Sequence, residues 1–469
     1  MLSSIKSLIH KVGVSTLIYS AILLALVAFS AFSADLIGFF SDHYYTHIAV
    51  AYTVIVCSLL FIPRSGYWQQ LAMHKKLLLA SIVLLFTAIN FNMQQSFLFS
   101  AVFAVIVFYY YSIEKQFYKP NFVSILMMIY FLHLVLSLTW SLNKTEGFSY
   151  LGRLTPIFFI PLLFSFFRLD KKDYELILSA LFRIATLMAV LSIASWILQS
   201  RFYNINLLDG LQFKKVSIGF YPISQATYAW SLFKHPTYWS ILFLTVISAG
   251  WYYLNKKDTE FKFQKSELLF TLIAILIITS ISASRVMFIN FVLINTIGLL
   301  YALRHNKKKL AFSISVVAVA ALVVVVFFND KIMAFVNDSN RYCLRSAAYE
   351  SIRQNTWLGT GLGGMKAYIN NDNPLLVTLR SSEVMSIHIH PHNQFIGDAM
   401  QTGVLGLSII TLLLSTLFYY GIRYKNSLLL MVTVIFLFIM NIEMPLIYLN
   451  GIFAFALYIS FFTQKKTIE

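Results

Sequence analysis

The residues best equipped for chemistry sit where a polar stretch passes into an apolar run. His388, His390 and His392 alternate there, and Asn393 follows. A neutral imidazole accepts a proton near pH 7, which makes His392 a candidate general base toward a hydroxyl. His390 and Asn393 stand beside it as candidate substrate contacts. Alternating histidines on an extended piece can also bind zinc. No Glu or Cys lies near them at a familiar ligand spacing, so no metal is assigned. Asp398 lies about a turn further along, where it would either orient an imidazole or cap a helix start. Gly403 and Gly406 follow in the same run, and glycines there let helices approach closely in lipid.

Cationic side chains form the second group. Arg285 follows the polar stretch Thr279–Ser284 between two apolar runs. A charge at membrane depth is costly and marks a functional site by default. The plainer reading is an arginine that snorkels to the outer interface. Arg341 and Arg345 open a stretch in which Leu344, Ala348 and Ile352 recur at helical spacing. Guanidinium forks bind phosphate oxygens bidentately, although a solvated helix face would carry the same residues. His235 precedes Pro236, and Pro suits a first helical turn. His235 is thus a candidate substrate contact as well as a simple helix start. His133, Arg183 and Glu443 lie in or beside apolar runs, where polar residues more often bond a neighbouring helix than act on a substrate.

Only a membrane can hold these residues together. The chain has 469 residues, of which 59% are hydrophobic and 12% charged, and its mean hydropathy is +0.73. A soluble chain is about 25% charged. Apolar runs occur at Val14–Phe40, Thr46–Ile62, Leu77–Phe91, Ser96–Ser112, Phe122–Trp140, Leu154–Phe167, Tyr174–Leu198, Thr237–Leu254, Leu268–Ser282, Val286–Leu303, Leu310–Phe328, Phe395–Ile422, Leu428–Ile442 and Pro445–Phe462. Leu154–Phe167 is short for a span and reads as tilted, re-entrant or extended. The expected fold is an all-α polytopic membrane protein with roughly 12 to 14 transmembrane helices. Residues 1–328 are expected to form an N-terminal bundle with an outer loop at 199–236. Residues 329–391 form a large, partly helical periplasmic loop, and 392–469 the C-terminal transmembrane helices.

Charge fixes the expected orientation. Lys and Arg concentrate in the N-terminus, Arg64–Lys76, Glu114–Lys119, Arg168–Asp173, Lys256–Lys265, Arg304–Lys309, Arg423–Lys425 and the tail, whereas Ser41–Tyr45 and Asn92–Gln95 hold none. That alternation predicts both termini in the cytoplasm and the His392 segment on the periplasmic face of a bacterial inner membrane. Lys6 and Lys11 precede a long apolar stretch that reads as a retained first helix rather than a cleaved signal. The net charge of +17 is spread through these loops without a long basic arm, so nucleic acid is not an expected partner. Cys57 and Cys343 lie far apart and imply no disulfide framework. A glycine loop with Gly-Lys-Ser/Thr and a dinucleotide fingerprint are both missing, which weighs against ATP-driven transport.

These residues resemble the O-antigen ligase and polymerase superfamily of bacterial membrane glycosyltransferases. His392 and Asn393, followed by Gly403 and Gly406, match the ligase motif of the second half. Ser284 and Arg285 resemble the family's membrane arginine. Arg341, Ala347, Ala348, Ile352 and the turn from Trp357 to Gly363 resemble a stretch of its large periplasmic loop. Val286 stands where members often carry Gly, and Arg345 where a Trp is usual, which leaves Arg341 and Arg345 as alternatives for one role. The resemblance implies an O-antigen ligase. Its donor would be a polysaccharide on undecaprenyl pyrophosphate and its acceptor the lipid A–core oligosaccharide, with no cofactor or metal. His392 would take the acceptor proton, and Arg285 with Arg341 or Arg345 would stabilise the leaving pyrophosphate. A single displacement with one base predicts inversion at the anomeric carbon. An O-antigen polymerase or a protein O-oligosaccharyltransferase shares the motif. A transporter would instead call for inverted repeats, which the sequence does not display.

Overall fold

The computed structural model describes residues 52–202 (except 53, 63, 64 and 92), 216–218, 221–223, 236–254, 259, 263, 265–281, 285–303, 339–365 and 390–464. The expected spans Val14–Phe40 and Leu310–Phe328 and the residues His235 and His388 lie outside them, as do the side chains of Arg285 and Arg341. The chain is an all-α polytopic membrane protein. Its helices are α1 (Gly66–Gln70), α2 (Met73–Ala88), α3 (Met93–Glu114), α4 (Phe122–Ser137), α5 (Lys144–Leu154), α6 (Pro156–Leu163) and α7 (Lys171–Phe202). They continue with α8 (Pro236–Tyr253), α9 (Lys265–Ile281), α10 (Arg285–Leu303), α11 (Ser339–Gln354), α12 (Gln394–Arg423), α13 (Ser427–Ile442) and α14 (Leu449–Thr463). Among the described residues, five helical stretches are long and apolar enough to cross a membrane. Two three-residue strands, Val216–Ile218 and Tyr221–Ile223, pair antiparallel within the segment 199–236.

Two boundaries differ instructively from the apolar runs. The run Leu154–Phe167 is the second half of a 23-residue helical stretch, Lys144–Phe166. Asn143 starts it by accepting from the Glu146 N–H at 3.1 Å, and Pro156 opens α6 where a helix tolerates its missing donor. Lys144, Glu146 and Arg153 hid the first half from a hydropathy reading. The run Pro445–Phe462 also divides. Residues Pro445–Ile447 form a single 3-10 turn, and α14 begins only at Leu449, so residues 443–448 are a connection outside the spans.

The described residues pack as two compact units that cut across chain order. The first unit is built from the described residues of 52–116 and 169–302. Its central element is α7, whose most apolar window is 83% buried, against 17% for α3 at the periphery. Inside, the Thr186 and Thr271 hydroxyls bond at 2.7 Å and join α7 to α9. At its start, Asp173 accepts from Tyr67 at 2.8 Å and pairs with Lys75 at 2.8 Å. Arg183 reaches the Phe61 carbonyl at 3.5 Å, as a helix-bonding residue would.

The second unit is built from residues 117–168 and the described residues of 303–464. Helix α12 packs against α4, α11 and α13, and α14 packs against α6. The face predicted on α11 is the one that buries: Leu344 and Ala348 pack with Ala347, Met365, Met400 and Met444, and Ile352 borders them. Helix α11 is thereby fixed to the start of α12.

Candidate functional site

The site in the second unit rests on a broken helix. Within α12, Gly403 takes φ 65° and ψ −164°, so the helical ladder stops and restarts there. The groups that this break frees are met by the turn after α11. Thr360 N–H donates to the Met400 carbonyl at 2.9 Å and Gly361 N–H to the Gln401 carbonyl at 2.8 Å, while Val404 N–H donates to Thr356 at 2.9 Å. An unpaired backbone group in an apolar setting costs several kcal/mol, so the turn and the break stabilise each other. A side chain at Gly403 would meet the Trp357 carbonyl, and one at Gly361 would meet the Ser141 backbone. Gly403 is therefore a hinge in the backbone rather than a contact between helices, which corrects the sequence expectation. Gly406 keeps the expected role: a Cβ there would lie 3.2 Å from His133 Nε2 on α4 and overlap Thr402.

The short helical piece before the break, residues 394–402, presents the histidine loop. Asn393 caps it, its side chain accepting from Ile396 N–H at 3.0 Å and donating to the Asn441 carbonyl at 3.0 Å. His392 has φ 49°, a left-handed backbone that few residues without glycine's freedom adopt. Its N–H donates to His390 Nδ1 at 3.3 Å, and the two rings lie 4.1 Å apart. On its other side, His392 Nδ1 lies 3.0 Å from Glu443 Oε2. The carboxylate accepts, so the proton sits on Nδ1 and the lone pair on Nε2. The pair is part-exposed, at 23% for the His392 side chain and 16% for Glu443.

His390 is buried beneath this pair. Because its Nδ1 accepts from the backbone, its own proton belongs on Nε2, which lies 3.0 Å from the Tyr448 oxygen. Burial first, then the neighbouring Glu443 and Tyr150, pushes the Tyr448 hydroxyl up to about 12. Tyr448 thus stays a neutral phenol across the physiological range. Arg345 reaches the loop through a long contact, Nε to the Pro391 carbonyl at 3.5 Å.

Asp398 faces a different environment. Its Oδ1 accepts from Tyr130 and from Gln394, each at 2.9 Å, and Oδ2 lies buried beside a cavity of about 20 Å³. It neither orients the imidazole nor caps the helix, and both sequence expectations for it are corrected: Glu443 does the first and Asn393 the second. From the sequence, Glu443 reads as a helix-bonding residue. Its separation of 51 residues from His392 offered no local signal, and only a carboxylate at the end of an apolar run hinted at it.

The structure thus gathers His390, His392, Asn393 and Arg345, and adds Glu443 and Tyr448. Arg341 stands four residues before Arg345 on α11 and Arg285 opens α10. As a donor set for a metal, His390, His392 and Glu443 have ligand atoms within 4.8 Å of one another. The His392–Glu443 hydrogen bond and the backbone bond to His390 Nδ1 would both have to break to coordinate an ion through those atoms. The hydrogen-bonded arrangement satisfies all three residues as they stand.

Residues 268–411 match the O-antigen ligase family, a segment that contains Arg285, Arg341, Arg345, His390, His392 and Asn393. Glu443 and Tyr448 lie beyond it. No curated protein matches the chain. The matched segment runs from α9 into α12, past the break at Gly403, and over that stretch the chain is similar to the O-antigen ligase family.

Proposed function

We propose that the protein is an O-antigen ligase. It transfers a polysaccharide from undecaprenyl pyrophosphate to the lipid A–core oligosaccharide at the periplasmic face of the inner membrane. The family implies lipid-linked glycan substrates. The observation that carries the assignment of a base is the 3.0 Å bond between His392 Nδ1 and Glu443. It fixes the tautomer, directs the Nε2 lone pair away from the carboxylate and stabilises the imidazolium once a proton arrives.

In this reading the acceptor hydroxyl oxygen attacks the anomeric carbon while His392 Nε2 takes its proton. The bond from that carbon to the pyrophosphate oxygen breaks with inversion, and undecaprenyl pyrophosphate departs. Arg285 and Arg341, with Arg345 beside the histidine loop, offer guanidinium groups to the growing negative charge, an effect that is often the largest single catalytic contribution. Asn393 holds the loop and contacts substrate, His390 supports the loop from beneath, and His235 is a further substrate contact. The imidazolium then returns its proton to water.

The test is ligation by the purified protein with a defined lipid-linked glycan and lipid A–core. His392→Ala and Arg285→Ala are each expected to lose at least about 100-fold in turnover, and near-normal turnover by both removes the assignment. Activity that survives a chelator supports a metal-free reaction, whereas reversible loss revives a metal on His390, His392 and Glu443. Deleting the protein should leave core without long chains and polymer accumulating on the lipid carrier. A single repeat unit on core would identify a polymerase instead.

A further inference from the structure

The second unit carries another polar cavity at the far end of α14 from Tyr448. Fifteen helical residues separate the two ends, about 22 Å at 1.5 Å per residue. The cavity measures about 100 Å³ and is lined by Lys119, Asn121, Ser124, Arg168 and Ser460 among others. That leaves room for a tetrahedral oxyanion.

Three independent features give it a sign. Lys119 and Arg168 supply positive charge at its mouth, and Arg168 is held over the Tyr118 ring at 4.6 Å. Helix α4 begins at its wall. Asn121 and Ser124 both line the cavity, and Asn121 caps the Ser124 N–H at 2.9 Å, so the positive end of the helix stands at the wall. The third feature is Ser460. Its neighbour Thr463 bonds back to the Ile459 carbonyl at 2.7 Å, as helical hydroxyls in lipid generally do. Ser460 Oγ makes no such bond. It is buried, 1% exposed as a residue, and has no hydrogen-bond partner. A buried hydroxyl beside two cations and a helix start is a donor awaiting an acceptor.

We infer that this cavity binds a phosphate group, as the headgroup of an anionic lipid or as a soluble phosphate. The inference is independent of the ligase reading, because none of its residues belongs to the histidine site. The cavity is built from segments that charge alone assigned to the cytoplasmic side, 114–119 and 168–173, which is where basic pockets between spans meet anionic headgroups.

The experiment measures lipid binding to the full-length protein in detergent by native mass spectrometry. Phosphatidylglycerol and phosphatidylcholine serve as probes, with inorganic phosphate as competitor. Phosphatidylglycerol should bind wild type at least tenfold more tightly than phosphatidylcholine. The double variant Lys119→Gln/Arg168→Gln should lose about tenfold, and Ser460→Ala, which changes little volume, about threefold. If millimolar inorganic phosphate displaces the lipid, the site is a soluble-phosphate site; if it does not, the headgroup is the ligand. Equal binding of the two lipids, or undiminished phosphatidylglycerol binding by both variants while they remain folded, overturns the inference.

Discussion

Two residues eleven positions apart hold left-handed backbone for opposite reasons. Gly403, at φ 65°, breaks α12 and receives the turn that follows α11. His392, at φ 49°, precedes the same helix and meets Glu443. The other non-glycine residues with positive φ among those described, Lys115 and Lys425, follow the ends of α3 and α12, where such a conformation commonly closes a helix. His392 has no such structural excuse. Glycine adopts this backbone at little steric cost, so Gly403 is architecture. An imidazole held there against its preference, at about 1 to 2 kcal/mol, points to chemistry that needs the ring in one orientation.

That contrast can be broken by exchanging what each position carries. His392→Gly relieves the backbone while removing the base. Turnover is expected to fall by about 10²- to 10⁴-fold, yet the thermal unfolding midpoint in detergent should stay within a few degrees. A collapse of the fold would make His392 structural and end the distinction. Gly403→Ala should do the reverse. The methyl group would face the Trp357 carbonyl, and the strain together with lost clasp bonds should cost about 3 kcal/mol or more. Gly406→Ala would set a methyl against the Thr402 Cβ, so the helix must shift there too, but it keeps helical dihedrals and loses no turn hydrogen bond, and it should cost less. Equal midpoints for the two alanine variants would refute the hinge.

The two carboxylates near the loop sharpen the same contrast at smaller scale. Glu443→Gln keeps the shape but withdraws the charge that holds the His392 tautomer, and turnover should drop by about 10- to 100-fold, equivalent to roughly 1.4 to 2.7 kcal/mol. Asp398→Asn leaves an oxygen to accept from Tyr130 and Gln394 and should change turnover by no more than a fewfold. The opposite ranking in a ligation assay would return the orienting role to Asp398.

The sequence was most legible where a property repeats along the chain. Leu344, Ala348 and Ile352 declared the buried face of α11 by period alone, and α13 fills its predicted run because both of its ends are marked by polarity. Boundaries failed where polarity entered a helix, as Lys144, Glu146 and Arg153 did in α5. At the site, His392 and Asn393 stood out because polar residues converge at a span entrance. Glu443 did not, since its contact with His392 depends on how α12 and α13 pack and on the turn of residues 443–448. Asp398 misled because nearness along a chain was taken for nearness of function, whereas its helical position directs it toward Tyr130 instead. Glycine told the location of a constraint but not its kind: Gly403 and Gly406 look alike in sequence and serve as a hinge and a packing contact.

The smallest expected effect concerns the layer beneath the base. Tyr448→Phe removes the oxygen that receives the His390 Nε2 proton, leaving that buried donor without its partner. The cost should be about 1 kcal/mol. His390 supports His392 through a backbone bond to Nδ1 and a ring contact at 4.1 Å, without a bond to the reacting Nε2, so the loss should reach turnover in muted form, about two- to fivefold in kcat with the acceptor KM unchanged. Because the Tyr448 phenol stays neutral below about pH 12, the pH dependence of turnover in the variant should match that of the wild type. A shifted profile would mean that Tyr448 communicates charge to His392, and that the buried layer takes part in proton transfer instead of only holding the loop.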